Sequence, residues 1–225
     1  MEDRRFVDLS HAIFDGLITY RGLPAPVICD YLSREQSREI YAPGTEFQIG
    51  KIELVSNTGT YLDCPFHRYQ DGKDLAQTEL ECFTDLEGIV IRADHSRNRA
   101  VGAEFFKARE IRGRAVLVHT GWDRYWNTDR YFENPPSLTA EAADYLQRGG
   151  ARLVGIDSMN IDDLEDRSRP VHSILLKSEI LIVEHLCNLD QLPDEGFTFS
   201  AIPPRLVGVG TFPVRALAKL RRFQI

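Results

Sequence analysis

The chain has 225 residues, 43% of them hydrophobic, and a formal charge of −7. That length supports one large domain with a full core, and the negative balance argues against a broad nucleic-acid surface. Four cysteines (Cys29, Cys64, Cys82, Cys187) form no Cys-x-x-Cys pair, and no apolar run reaches spanning length. Met1–Phe6 opens no apolar stretch of signal-peptide length. Free thiols in a reducing cytoplasm are the simplest expectation, with no membrane partner.

In chain order, Phe6–Leu9 reads as a short strand. The first 45 residues otherwise read as an irregular N-terminal arm, rich beyond residue 11 in Pro, Gly and Tyr and suited to wrapping a neighbour. Phe47 and Ile49 alternate with polar residues, and Ile52 and Leu54 alternate in the opposite phase, so a hairpin or bulge is expected at Gly50-Lys51. Ile89–Ile91 and Ala115–Val118 are buried-strand candidates, with helical character between them from Ala103 to Ile111. Thr139 can cap a helix from Ala140 to Arg148 that Gly149-Gly150 stops. Leu153–Asp157 reads as a strand, Val171–Lys177 as a helix and Ile180–Glu184 as a strand. This alternation predicts a single α/β domain over 1–225, a mixed sheet with flanking helices. Arg215, Lys219, Arg221 and Arg222 read as a solvated basic end.

The chemistry concentrates between Asn57 and His67. Asn57, Tyr61, Asp63 and His67 occupy odd positions, and side chains two apart share a face of an extended chain. A straight run from 57 to 63 would cover roughly 20 Å, so the chain must bend if these groups cooperate. Gly59 is the cheapest place to bend, and Pro65 ends any ladder. A solvated strand edge followed by a turn would read the same way from spacing alone. An imidazole titrates near neutrality, so His67 is a candidate acid–base. Asp63 is a candidate ligand or orienting partner for it, or a turn-forming acid. Cys64 should face the other way, into the core. Asp157 and Glu184 end two strands, as acids in α/β sites do, and Asp157 equally reads as a loop cap. Glu184, after four apolar residues, needs a partner if buried, whether an ion or Arg167 or Arg169.

Gly59-Thr60, Asp63, Pro65 and His67 resemble the signature His-x-Gly-Thr-His-x-Asp-x-Pro-x-His of the cyclase family of metal-dependent hydrolases, which includes bacterial kynurenine formamidase and isatin hydrolase. Asp8–His11, Thr120–Trp122, Gly155–Ser158 and the pair His172 and Glu184 extend the resemblance along nearly the whole chain. It implies a swivelling β/β/α domain, a homodimer or homotetramer, and amide hydrolysis of a small molecule by metal-activated water with His67 as general acid–base. It also implies metal-binding histidines where this chain has Asn57 and Tyr61. An amide and a phenol are weak ligands, so the first metal position is expected to be absent. Asp63, His172 and Glu184 remain as a reduced site for one divalent ion, Zn²⁺, Mn²⁺ or Fe²⁺. His172 follows Pro170 at a helix N-terminus, which favours the neutral, ligating ring. Tyr61 is expected to orient the carbonyl, and Asn57, Phe66 and Trp122 to contact substrate. Two alternatives stand beside the arylformamidase-like or lactam-opening hydrolase. One is metal-free lyase, isomerase or ring-closure chemistry on His67, Tyr61 and Asp63. The other is a non-catalytic small-molecule binder.

Overall fold

The computed structural model describes residues 6–97 and 99–220; Arg221 and Arg222 of the basic end, and residues 1–5, lie outside them. The strands are β1 (Phe6–Asp8), β2 (Val27–Leu32), β3 (Ile49–Glu53), β4 (Tyr61–Asp63), β5 (Leu86–Arg92), β6 (Ala100–Val101), β7 (Ala115–His119), β8 (Ser137–Leu138), β9 (Leu153–Ile156), β10 (Leu181–Glu184), β11 (Phe197–Ser200), β12 (Thr211–Pro213) and β13 (Leu217–Leu220). The α-helices are α1 (Arg34–Arg38), α2 (Ala140–Gly149) and α3 (Pro170–Lys177).

Among the described residues, nine strands form one sheet in the order β1-β13-β11-β5-β7-β9-β10-β4-β12. β5, β7, β9 and β10 run parallel, and the remaining pairs are antiparallel, as a mixed sheet requires. Parallel strands need helical crossovers, and α2 and α3 supply them between β7, β9 and β10. Period-2 alternation divides the core. Val90, Leu117, Leu153, Val183 and Leu62 face a cluster with Phe197 and Phe199. Ile89, Ile91, Val116, Val118, Val154 and Ile182 face α2 and α3 through Leu146, Val171 and Leu175. The parity places Leu62 on the first face, and therefore Tyr61 and Asp63 on the helix face.

α2 forms as its caps dictate. The Thr139 side chain accepts from the Ala142 N–H, and Gly150 closes the helix at φ 76°.

Three expectations need correction. The first 45 residues are not a wholly irregular arm: beyond β1 they carry β2 and α1, and β2 pairs with β3 in a separate two-stranded sheet. β3 runs unbroken through Gly50-Lys51, and the irregularity lies opposite, between Asp30 and Leu32. The hydrophobic phase changes there because every residue of β3 is exposed, so neither face answers to a core. The helix expected over 103–111 is only a 3-10 turn at Ala103–Phe105. Phe106 and Ile111 are both buried in the α2-side cluster, and a separation of five residues does not place two side chains on one helix face.

Gly88 on β5 lies against its neighbour β11. A Cβ there would stand 2.0 Å from Cε2 of Phe197, a fully buried ring. Gly88→Ala should lower unfolding free energy by about 1–3 kcal/mol through overpacking, read from the urea midpoint.

Candidate active site

The site forms where β4 lies between β10 and β12 and the first turn of α3 faces them. Gly59 bends the chain at φ +67°, and a Cβ there would meet Ile13 Cγ1 at 2.7 Å. Thr60 then anchors the bend by donating to the His185 carbonyl at 2.6 Å. Pro65 ends β4 and opens a 3-10 turn that carries His67. Tyr61 stands opposite Glu184 on β10, and Asp63 stands opposite Thr211 on β12. Cross-strand register thus converts residues 120 to 150 apart in sequence into contacts.

Asp63 is wholly buried, and its two oxygens differ. Oδ1 accepts a short hydrogen bond from the Thr211 hydroxyl. Oδ2 has no hydrogen-bond partner among the described residues. The Thr211 oxygen lies 2.7 Å from His67 Nδ1. Thr211 spends its one proton on Asp63, so Nδ1 is the donor to it and Nε2 is the free nitrogen of His67. His172 Nε2 lies 3.7 Å from Asp63 Oδ2 and 3.6 Å from Glu184 Oε1. Its other nitrogen, Nδ1, is 2.6 Å from Asp162 Oδ2. Glu184 accepts the Tyr61 hydroxyl at 2.6 Å and the Ile161 N–H at 2.6 Å, so neither Arg167 nor Arg169 is its partner. Tyr61, His67, His172, Glu184 and Asn57 line a cavity of about 450 Å³, a size suited to a small molecule.

Residues 7–163 match the model of the Cyclase family. The chain belongs to that family. Among similar proteins is the kynurenine formamidase of Bacillus cytotoxicus, 27% identical over 223 residues, which span 97% of this chain and 99% of the relative. Isatin hydrolase A of Ralstonia solanacearum superposes with a TM-score of 0.83 at 22% identity, over 97% of this chain and 93% of the other. An isatin hydrolase bound to the product analogue thioisatinate also superposes at 0.83, with 21% identity, over 98% and 94% of the two chains.

The pocket of this cyclase-family chain suits a cation. Ligand atoms of Asp63, His67 and His172 lie within 4.8 Å of one another, and the bare Asp63 oxygen points among them. Carboxylate with imidazole is a donor set that Zn²⁺, Mn²⁺ and Fe²⁺ all accept. Glu184 adjoins this set through the His172 contact, although both its oxygens already accept protein protons.

The charges follow from the packing. Burial would lower the His172 pKa, but the hydrogen bond to Asp162 and the nearby carboxylates of Asp63 and Glu184 raise it to about 10. The ring is therefore an imidazolium in the metal-free protein, not the neutral ring that the helix N-terminus alone would favour. Burial would raise Asp63, yet His67, His172 and Thr211 hold it below the usual carboxylate range. Burial pushes Glu184 up to about 7, against the pull of His172. Burial, with the charges of Glu184 and Asp63, holds the Tyr61 phenol well above its ordinary value.

Several expected residues land elsewhere. Phe66 packs on the core face with Leu62 and Cys64, and Trp122 packs with Tyr131 and Met159 while donating Nε1 to the Tyr131 carbonyl at 3.0 Å. Neither lines the cavity. Tyr61 gives its proton to Glu184, so in this arrangement it is not free to donate to a substrate carbonyl. Asp157 accepts from the Thr120 and Gly121 N–H groups at 2.8 and 2.7 Å and so holds the loop after β7. Sequence reasoning missed Asp162 and Thr211. Asp162 accepts the Val171 and His172 N–H groups at 2.7 and 3.0 Å as well as the His172 ring, yet it lies eight residues before Pro170. No capping pattern marks an acid at that distance, and no local signal marks Thr211 among ordinary strand threonines.

The stability consequence has a definite sign. The His172 pKa is raised from 6.5 to about 10, so its contribution is complete below pH 6.5 and disappears as pH rises through about 10. The urea midpoint of metal-stripped protein should fall across that window, and His172→Gln should flatten the fall.

Proposed function

We propose that this chain is a cyclase-family hydrolase of a non-peptide C–N bond, arylformamidase-like or lactam-opening, with the Asp63–Thr211–His67 chain as its proton-handling element. The carrying observation is the Thr211 hydroxyl, which joins Asp63 to His67 Nδ1 and leaves Nε2 free at the cavity. Full-length similarity to a kynurenine formamidase and the fold shared with isatin hydrolases support an amide as the bond cleaved.

Asp63 and His172 are the anchors we assign to one divalent ion, with Glu184 beside them. When bound, such an ion lowers the pKa of water and polarises a carbonyl. The remaining work falls to side chains of this chain. His67 Nε2 takes a proton from the attacking water as its oxygen bonds to the carbonyl carbon, then returns it to the nitrogen as the C–N bond breaks. Asp63, through Thr211, holds the ring in the Nδ1–H tautomer that makes Nε2 a base. Tyr61 acts on Glu184, fixing its carboxylate, and Asn57 meets substrate at the cavity wall. A metal-free reading draws on one observation: Asp162, Glu184 and Asp63 stand 2.6, 3.6 and 3.7 Å from the His172 ring nitrogens and favour its protonated form without an ion.

His67→Ala should reduce formamide hydrolysis by about 10²–10⁴-fold and retain the metal content of the wild type, measured by elemental analysis. Loss of the metal along with the rate would make His67 a ligand instead of a proton carrier. Activity that survives exhaustive chelation would select the metal-free reading.

We also assign the chain a homo-oligomeric state. Tyr31, Ile40, Phe47 and Ile52 on and beside the β2–β3 hairpin are 75%, 66%, 54% and 63% exposed. A two-stranded hairpin is marginal in water alone, and a second copy of the chain is the cover we propose for it. Light scattering should give a dimer or tetramer mass, and Ile40→Asp with Ile52→Asp should shift it towards monomer. A wild-type monomer would overturn the assignment. No helix among the described residues is long and apolar enough to cross a membrane. The four unpaired cysteines support a cytoplasmic setting.

A further inference from the structure

We infer that the substrate carries a carboxylate away from the scissile bond and that Arg167, with Arg68 and Arg169, holds it at the mouth of the cavity. The inference builds on the hydrolase reading above by naming its substrate class. A chain of charge −7 brings four arginines, Arg21, Arg68, Arg167 and Arg169, to one cavity. Arg21 is neutralised by Asp129 at 3.0 Å. The other three have no carboxylate within 4.0 Å among the described residues.

Their partners are neutral or absent. Arg68 donates Nε to the Ser173 hydroxyl at 3.3 Å and lies over the Tyr69 ring. Arg169 donates Nη1 to the Asp163 carbonyl at 2.9 Å, and its charge acts on the Tyr20 phenol. Arg167 is exposed and makes no hydrogen bond or ion pair among the described residues. The nearby acid Asp166 accepts from the Ser168 N–H and hydroxyl at 2.9 and 2.6 Å. Arg169 also takes a left-handed backbone, φ 50° and ψ 59°, immediately before Pro170. A residue before proline strongly prefers extended backbone, and such outliers gather at ligand clamps.

Guanidinium forks match carboxylates in plane and charge, and three uncompensated forks around one opening form an anion receptor. The cavity offers nothing comparable to an ammonium group. Glu184, its one acidic lining residue, has both oxygens engaged with Tyr61 and Ile161. A plain carboxylate therefore suits this mouth better than the zwitterionic tail of kynurenine.

Calorimetry with 4-(2-aminophenyl)-4-oxobutanoate, its carboxamide and kynurenine tests this without requiring turnover. Wild type should bind the carboxylate at least about tenfold tighter than the carboxamide, and tighter than kynurenine, with the advantage shrinking in high salt. The advantage should fall to about threefold or less in Arg167→Gln with Arg68→Gln, and persist in Arg21→Gln. Equal affinity for acid and amide, no binding of either, or an advantage that survives the double variant would overturn the inference. His67→Ala should keep the discrimination, so a failed hydrolysis assay and a failed carboxylate receptor give different results.

Discussion

A buried carboxylate with one bare oxygen organises this protein. Asp63 lies on β4 between β10 and the edge strand β12, loses its water entirely, and receives a proton donor on one side only. Two further carboxylates, Asp162 and Glu184, are buried within hydrogen-bonding or ion-pair reach of the same imidazole, His172. So much negative charge in a low-dielectric pocket is tolerable only against positive charge. In the metal-free chain His172 supplies it by taking a proton; a divalent ion would supply it by displacing that proton. Acid–base and metal-binding character are two responses to one electrostatic demand.

The fold meets that demand through parity and register. Alternation along β4 sends Leu62 into one core and Asp63 into the helix side, where α3 brings His172 down. Register on β12 places Thr211 opposite Asp63, and register on β10 places Glu184 opposite Tyr61. Gly210 completes the fit: a Cβ there would lie 2.2 Å from the His67 backbone nitrogen, so only glycine lets the turn bearing His67 approach β12 this closely. The cavity sets buried Glu184 and His172 beside the more exposed Arg68 and Arg167, and the proposed metal and carboxylate sites both rest on that separation of charge.

Local signals were legible along the parallel strands and in α2. β5, β7, β9 and β10 announced themselves by apolar runs, α2 by Thr139 and Gly150, and the bend by Gly59 and Pro65. They misled where burial did not follow local period. The exposed β2–β3 hairpin obeyed no core, and the segment after β6 broke its helical pattern to bury Phe106 and Ile111 together. Phe66 and Trp122 looked like pocket walls because aromatic residues serve both roles; packing assigned them to the interior.

The sequence by itself determined the parallel strands, α2 and α3, the family, and the ordered segment from Gly59 to His67 that carries the candidate site residues Tyr61, Asp63 and His67. Such information is local: a period, a cap, a glycine where the chain must turn. Only the tertiary structure decided which partners those side chains have. Thr211 meets Asp63 across 148 residues and Tyr61 meets Glu184 across 123, while Asp162 reaches His172 from an irregular loop. These contacts, and the charge states they impose, depend on strand order and register, which no short stretch of chain encodes.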